Sequence, residues 1–186
     1  MPVTVRPTRA DKEIARVIAR DTSTAMEETA EILTWGADEH VLCAAAAVWW
    51  LYCRGRPTAE RAASNHILIT TIAASILPHL MKHIFTQERP DRRSVEAHLH
   101  GAPFSGSPLQ AFPSGHAVHV GALASAAAEL PARQRILVWT AGAGLVLTRV
   151  FLLAHWASDV AVGLALGTAL ERVIRLFTGY GRPGGA

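Results

Sequence analysis

Apolar residues are unevenly spread along this chain. Five stretches carry no Asp, Glu, Lys or Arg: 41–53, 66–81, 117–128, 136–147 and 160–170. They predict five helices separated by short polar islands. A membrane span needs about 20 mostly apolar residues, whereas runs of 10–14 can be core helices. Three of the runs extend further. Residues 66–81 reach Phe85 if Lys82 snorkels or lines a cavity, and 136–147 continues past Arg149 to Ser158. Residues 160–170 continue through Val173, Ile174, Leu176 and Phe177, with Glu171, Arg172 and Arg175 at one edge. Each helix of a soluble bundle should show a polar stripe, and 160–170 shows none. The expected fold class is all-α: a polytopic membrane helix bundle of about five transmembrane helices, plus an N-terminal polar or amphipathic helix. A soluble bundle with an unusually apolar core is the alternative. The spans are rich in Ala and Gly, which lets helices approach closely in lipid. Trp49, Trp50 and Tyr52, beside Arg54 and Arg56, suit an interfacial anchor or core aromatics.

Charge divides the chain. Residues 1–39 hold 13 charges, 5 basic and 8 acidic; the remaining residues hold 20, 13 basic and 7 acidic. The expected domains are a polar N-terminal helical segment over 1–39, a membrane-embedded domain over 40–178 and a flexible tail over 179–186. The N-terminal segment lacks the apolar core of a signal peptide. Thr24 and Glu27 have capping-box spacing, so a helix can restart there. Ile14, Val17, Ile18, Ile32 and Leu33 fit either a surface-lying amphipathic helix or a helix packed on the bundle. The composition excludes a disordered, collagen-like or disulfide-stapled chain. Cys43 and Cys53 lie ten residues apart on one expected helix, roughly 15 Å at 1.5 Å per residue, too far for a disulfide.

The chemistry sits in three polar islands. Lys82 to Pro90 closes the second span, Phe112-Pro-Ser114-Gly115-His116 opens the third, and Thr148 to Asp159 joins the fourth and fifth. Ionisable residues inside or at the ends of spans are costly and mark functional sites. Alternating the five spans across the membrane puts all three islands on one side. Lys82, Arg89 and Arg149 then offer three cations to a tetrahedral dianion. Ser114 and Gly115 precede a helix start, where backbone amides favour an anion and Gly permits close approach. Asp159 lies four residues after His155, one turn away if helix continues through the junction. A carboxylate there would fix the His tautomer and leave the other ring nitrogen free. His116 is placed to protonate a leaving oxygen. The set reads as phosphoryl transfer through a histidine nucleophile.

The motifs K-x6-RP, PSGH and TR-x5-H-x3-D, in that order, resemble the signatures of the type 2 phosphatidate phosphatase superfamily. That family includes membrane lipid phosphate phosphatases, glucose-6-phosphatase and the vanadium haloperoxidases. The resemblance covers Lys82 to Asp159, about two-fifths of the chain. It implies that Lys82, Arg89 and Arg149 bind phosphate with Ser114 and the Gly115 amide. His155 would form a phosphohistidine, Asp159 would orient it and His116 would act as the general acid. No metal and no cofactor are expected. Thr148 stands where Ser is usual, and the polar N-terminal segment stands where many members have a first span.

The function expected is hydrolysis of a lipid phosphomonoester or diphosphate. Phosphatidate, a phosphatidylglycerol phosphate, a polyprenyl phosphate or diphosphate and a phosphorylated glycolipid all fit. The expected partners are that lipid and the bilayer, with no nucleic acid; oligomeric state is not readable. The alternatives are a vanadate-dependent haloperoxidase-like enzyme and a non-enzymatic protein that binds anionic lipid. The resemblance implies a bacterial-type plasma membrane with an extracytoplasmic site, although the Lys and Arg balance does not decide orientation. His79 and His83, one turn apart, could hold a metal or be satisfied side chains, and His119 could face the pocket or the bundle. Asp91, Arg92 and Arg93 read as a solvated loop run, with a headgroup clamp as the alternative, and His98 and His100 as loop surface.

Overall fold

The computed structural model describes residues 2–90 and 107–181, and the loop residues from Asp91 to His100 lie outside them. Among the described residues the chain is all-α apart from two short strands. Helix α1 is Arg9–Asp21, α2 Thr24–Thr34, α3 Glu39–Tyr52, α4 Thr58–Ile84, α5 Gly115–Ala126, α6 Ala132–Phe151 and α7 Ala157–Thr178. Strand β1 (Val3–Thr4) pairs in parallel with β2 (Phe85–Thr86), Val3 opposite Phe85. The five expected helices are α3 to α7. Among the described residues, α4 alone is long and apolar enough by length and composition to cross a membrane. Helices α3 and α5 have 14 and 12 residues, short of the roughly 20 a straight span needs. Helices α6 and α7 have 20 and 22 residues, with charges near their ends.

The N-terminal segment forms two helices. Thr8 and Asp11 make a reciprocal capping box for α1. The restart of α2 lies where the spacing placed it, but Ser23 supplies the cap, accepting from the Met26 amide at 3.4 Å. Of the apolar positions singled out there, Ile18 packs inward with Ala15 against Leu153 and Trp156. Ile14, Val17, Ile32 and Leu33 are exposed, Ile32 to 73%.

Helices α5 and α7 form the centre of the bundle, and their backbones touch. A Cβ placed on Gly167 would lie 2.0 Å from the Val118 carbonyl oxygen, and one on Gly121 2.3 Å from that of Leu164. Gly163 is closed off by Ala117 and the Ser114 carbonyl, both at 2.8 Å. Only glycine allows that separation. Ala74, Val118 and Ala122 make the buried seam of α4 with α5.

At the end where α3 meets α4, Arg54 lies over the Trp50 ring at 4.2 Å and Arg56 over Tyr52 at 4.8 Å. Trp49 and Tyr52 are exposed, which excludes core packing for both and suits an anchor. At the same end His66 and Glu171 are fully buried and 3.0 Å apart. Ser125 and Arg175 donate to Glu171 at 2.6 and 2.8 Å. Helix α7 ends on Gly179 at φ 68°, whose amide donates to the Arg175 carbonyl. Residues 179–181, expected in a free tail, are held instead. Tyr180 stacks on His66 at 4.3 Å and donates to the Ala126 carbonyl. Cys43 and Cys53 are both free thiols.

Replacing Gly167 by Ala drives a methyl into backbone that cannot yield, and should destabilise by about 2–3 kcal/mol or more. Gly144→Ala meets nothing within 4 Å and should stay within about 1 kcal/mol of the parent. Thermal unfolding of the two purified variants in detergent checks the contrast.

Candidate active site

The site lies at the end of the bundle where α4 and α6 finish and α5 and α7 begin. A cavity of about 620 Å³ there is lined by Lys82, Arg89, Gly115, His116, Arg149 and His155. These are six of the eight predicted residues, gathered from all three islands. Ser114 and Asp159 stand behind this wall with no exposed surface.

Each element contributes by its terminus. Lys82 sits in the last turn of α4. Ser114 is the N-cap residue of α5, but its side chain makes no capping bond, and its buried Oγ has no partner among the described residues. Arg149 is in the last turn of α6 and 4% exposed. Its Nη1 donates to Thr34 Oγ1 at 2.9 Å, and its buried Nε has no partner among the described residues. Arg89 is locked by backbone acceptors, donating to the Ala154 carbonyl at 2.6 Å and to those of Ser107 and Gln110 at 3.3 Å.

His155 does not continue a helix. Helix α6 stops at Phe151, and residues 152–156 form a tight connection to α7. The Arg149 carbonyl accepts from both the Ala154 and His155 amides, at 3.1 and 3.2 Å. Leu153 takes the left-handed conformation, φ 50°, where glycine is usual and a branched residue costs about 1–2 kcal/mol. Its side chain is 1% exposed against Ala15 and Trp156, burial worth about 1.5–3 kcal/mol for a Leu. The two terms offset, and the strained residue seats His155.

The His155–Asp159 pair therefore differs from the helical expectation. His155 Nδ1 donates to the Ala111 carbonyl at 2.6 Å, and Asp159 Oδ2 lies 3.9 Å from the same nitrogen. A carbonyl accepts only, so Nδ1 carries the proton and Nε2 keeps its lone pair. Asp159 uses Oδ2 to accept the Trp156 amide at 3.0 Å, capping α7 at its first turn. Burial, then the cations Arg89 and Arg149, hold the His155 imidazole well below its ordinary pKa, so it is neutral at physiological pH.

Four supports escaped the sequence reading. The Ala111 carbonyl is a backbone group that leaves no mark in a motif. Thr34 holds Arg149 from 115 residues away. Gln87, inside the first motif, is buried at 1% beside the site. Asp11 is 3% exposed and accepts from the Ser158 amide and hydroxyl at 2.9 and 2.8 Å. Burial pushes the Asp11 carboxyl up, but its hydrogen bonds from Thr8 and Ser158 outweigh this and hold it below the usual value. Its capping-box spacing with Thr8 was a readable signal; its long-range partner was not. His79 donates to the Ser75 carbonyl at 2.8 Å, while His83 is exposed. His119 is buried in the bundle, bonded to the Gly115 carbonyl and Ser75 Oγ, both at 3.1 Å.

The model of the PAP2 superfamily matches residues 63–182, more than half of the chain and all three motifs. The chain belongs to the PAP2 superfamily. A lipid A 1-phosphatase of Rhizobium johnstonii is 38% identical over 103 residues, 55% of this chain and 42% of that protein. A lipid A 1-phosphatase of Rhizobium etli is 30% identical over 166 residues, 82% of this chain and 72% of that protein. The first match thus spans less than half of the relative's length. The crystal structure of Aquifex aeolicus LpxE superposes with a TM-score of 0.67 at 15% identity, covering 92% of this chain and 98% of that one. A transmembrane PAP2-type phosphatidylglycerolphosphate phosphatase from Bacillus subtilis gives 0.64 at 18% identity, over 91% and 85%. These two likenesses concern the PAP2 fold.

Asp11→Ala should lower stability by about 1–3 kcal/mol at pH 7 and reduce turnover by loosening the α7 start behind His155. A carboxyl with a depressed folded pKa stabilises above its unfolded value of about 3.9, and this is lost as pH falls through the folded value. Thermal melts at pH 7 and pH 3 should show the gap between variant and parent closing at the lower pH.

Proposed function

We propose that this PAP2 protein is an integral-membrane phosphatase that removes phosphate from the headgroup of a lipid, of the glycolipid type named for its curated relatives. The observation that carries the reading is the cavity itself. It collects three cations and four imidazoles, His116 and His155 among them, and Arg149 and Lys82 form no ion pair among the described residues. Asp38 and Glu39 also line the cavity, on the α3 side. Buried cations without carboxylate partners call for an anion.

Lys82, Arg89 and Arg149 would bind the phosphate, with the Gly115 amide at the α5 N-terminus and the Ser114 hydroxyl. His155 Nε2 would attack phosphorus, and the bond to the leaving oxygen would break as His116 donates a proton to it. Water, deprotonated by His116, would then cleave the phosphohistidine and release inorganic phosphate, restoring His155. Asp159 would act by fixing the α7 start and the field behind His155. The cations supply the electrostatic stabilisation that a metal supplies elsewhere.

The bundle is read as polytopic. Large apolar side chains are exposed along every long helix: Val48 and Leu51 on α3, Ile69, Ile76 and Leu80 on α4, Ile136 and Leu137 on α6, Val173, Leu176 and Phe177 on α7. A water-soluble monomer would not present so much. The family supports a site on the extracytoplasmic face. Both named relatives are lipid A 1-phosphatases, which favours hydrolysis over vanadate-dependent oxidation or passive lipid binding.

His155→Ala should abolish phosphate release, by 10³-fold or more on the scale of a lost nucleophile, in detergent micelles of a lipid phosphate. Vanadate should inhibit the parent and EDTA should not. Retained activity in His155→Ala removes the covalent route.

A further inference from the structure

The proposed reaction leaves one buried histidine unused. His119 is 1% exposed and lies on α5, one turn after His116. Its Nδ1 is 3.1 Å from the Gly115 carbonyl oxygen, and its Nε2 is 3.1 Å from Ser75 Oγ on α4. A carbonyl only accepts, so Nδ1 carries the proton and Nε2 accepts from the Ser75 hydroxyl. That hydroxyl has one proton, which Nε2 shares with the Thr71 carbonyl at 3.2 Å. The Cys43 thiol on α3, 3.2 Å from Ser75 Oγ, supplies the next donor. The run from Cys43 through Ser75 and His119 to Gly115 crosses three helices, and every proton in it points toward Gly115.

The last bond lands on the phosphate-binding turn. The Gly115 carbonyl belongs to the peptide unit whose N–H is that of His116, and the two ends of a trans peptide point in opposite directions. The first amides of a helix have no intrahelical acceptor, and the Ser114 side chain does not cap them. They open toward the cavity that Gly115 and His116 line. A donor on the carbonyl polarises the unit and strengthens donation from its other end. The same bond ties α5 to α4. The buried apolar seam between these helices, Ala74 with Val118 and Ala122, attracts without direction, whereas a hydrogen bond has one preferred geometry. Lys82 follows Ser75 by seven residues, about two helical turns. The Ser75–His119 bond therefore links the helix that carries Lys82 to the turn that carries His116.

We infer that His119 is a positioning residue, which holds the first turn of α5 in the orientation that binds phosphate, with Ser75 fixing the tautomer it needs. The inference rests on the proposed function and adds to it a residue outside the three motifs. His119 is buried behind the cavity wall and acts through Gly115 and His116. Its donor to the Gly115 carbonyl is the part that matters for the site; its acceptor to Ser75 keeps that donor in place.

The test compares His119→Asn, His119→Gln and His119→Leu in the full-length protein in detergent. Asn places an amide nitrogen where Nδ1 stands and can still donate to the Gly115 carbonyl. Gln reaches the Nε2 position and Ser75 but offers Gly115 no donor. Phosphate release from a lipid phosphate gives kcat and KM, and inhibition by orthovanadate gives a Ki for the oxyanion site. Gln and Leu should lower kcat about tenfold and raise the vanadate Ki about tenfold, the scale of one buried hydrogen bond. Asn should stay within about threefold of the parent on both. A packing role gives the opposite order, because Gln is nearer to His in size. Gln equal to or better than Asn overturns the inference, as does a vanadate Ki that does not move in Gln and Leu. Ser75→Ala keeps the imidazole but frees its tautomer, and should raise the Ki about threefold; an unchanged Ki there overturns the inference, and this variant decides the matter if the His119 variants do not fold. If the parent releases no phosphate from a lipid phosphate, the proposed function fails. The positioning role is then read from equilibrium binding of orthovanadate, where the same order of affinities is expected, and a parent that binds no vanadate overturns it as well.

Discussion

The contact between the α5 and α7 backbones is the constraint on which the rest of the molecule depends. Gly121, Gly163 and Gly167 place no side chain of their own in that seam. In lipid, packing rather than water exclusion holds helices together, so contact distance translates directly into association strength. The two helices begin at the same end of the bundle, and the Ser114 amide reaches the Asp159 carbonyl at 3.4 Å. The second and third motifs are thus fixed relative to each other by the backbone itself. Helix α4 then brings Lys82 to the same end, and α6 brings Arg149.

The way the charged groups are held explains how the site can keep a positive field. Thr34 holds Arg149, the Ala111 carbonyl holds His155, and three backbone carbonyls are among the partners of Arg89. Neutral acceptors orient a donor without cancelling its charge. A carboxylate in the same position would bind more strongly and would compete with the phosphate. Asp159 sits 3.9 Å from His155 rather than in full contact, and spends an oxygen on the Trp156 amide. The buried ion network around Glu171, at the opposite end, follows the reverse rule. There Arg175 and His66 meet a carboxylate directly, and the result is a fixed structural joint.

Much of this was legible in the chain. Charge-free runs located all five central helices, because a bundle that exposes apolar side chains leaves no room for a polar stripe. Alternation of the helices placed the three islands at one end, and the cavity contains Lys82, Arg89, Gly115, His116, Arg149 and His155. Local rules failed where long-range contact decided the outcome. The His155–Asp159 spacing suggested one helical face, yet Leu153 interrupts the helix. Its strained conformation follows from burial against Ala15, some 138 positions earlier. The role of residues 1–39 was hidden for the same reason. Their polar composition describes their outer surface, whereas Asp11 and Thr34 act through inward-facing oxygens.

The bond between Asp11 and Ser158 joins residues 147 positions apart. Closing so long a loop is slow relative to forming a local helix. During synthesis the N-terminal portion emerges first, and the Asp11 carboxylate has only its local partner Thr8 until the start of α7 has been made and placed. The connection that carries His155 is therefore completed by one of the last contacts to form. Reactive competence arrives only with a nearly finished chain, and a ribosome-bound or C-terminally truncated product would carry the histidines and cations without the geometry that makes them an enzyme.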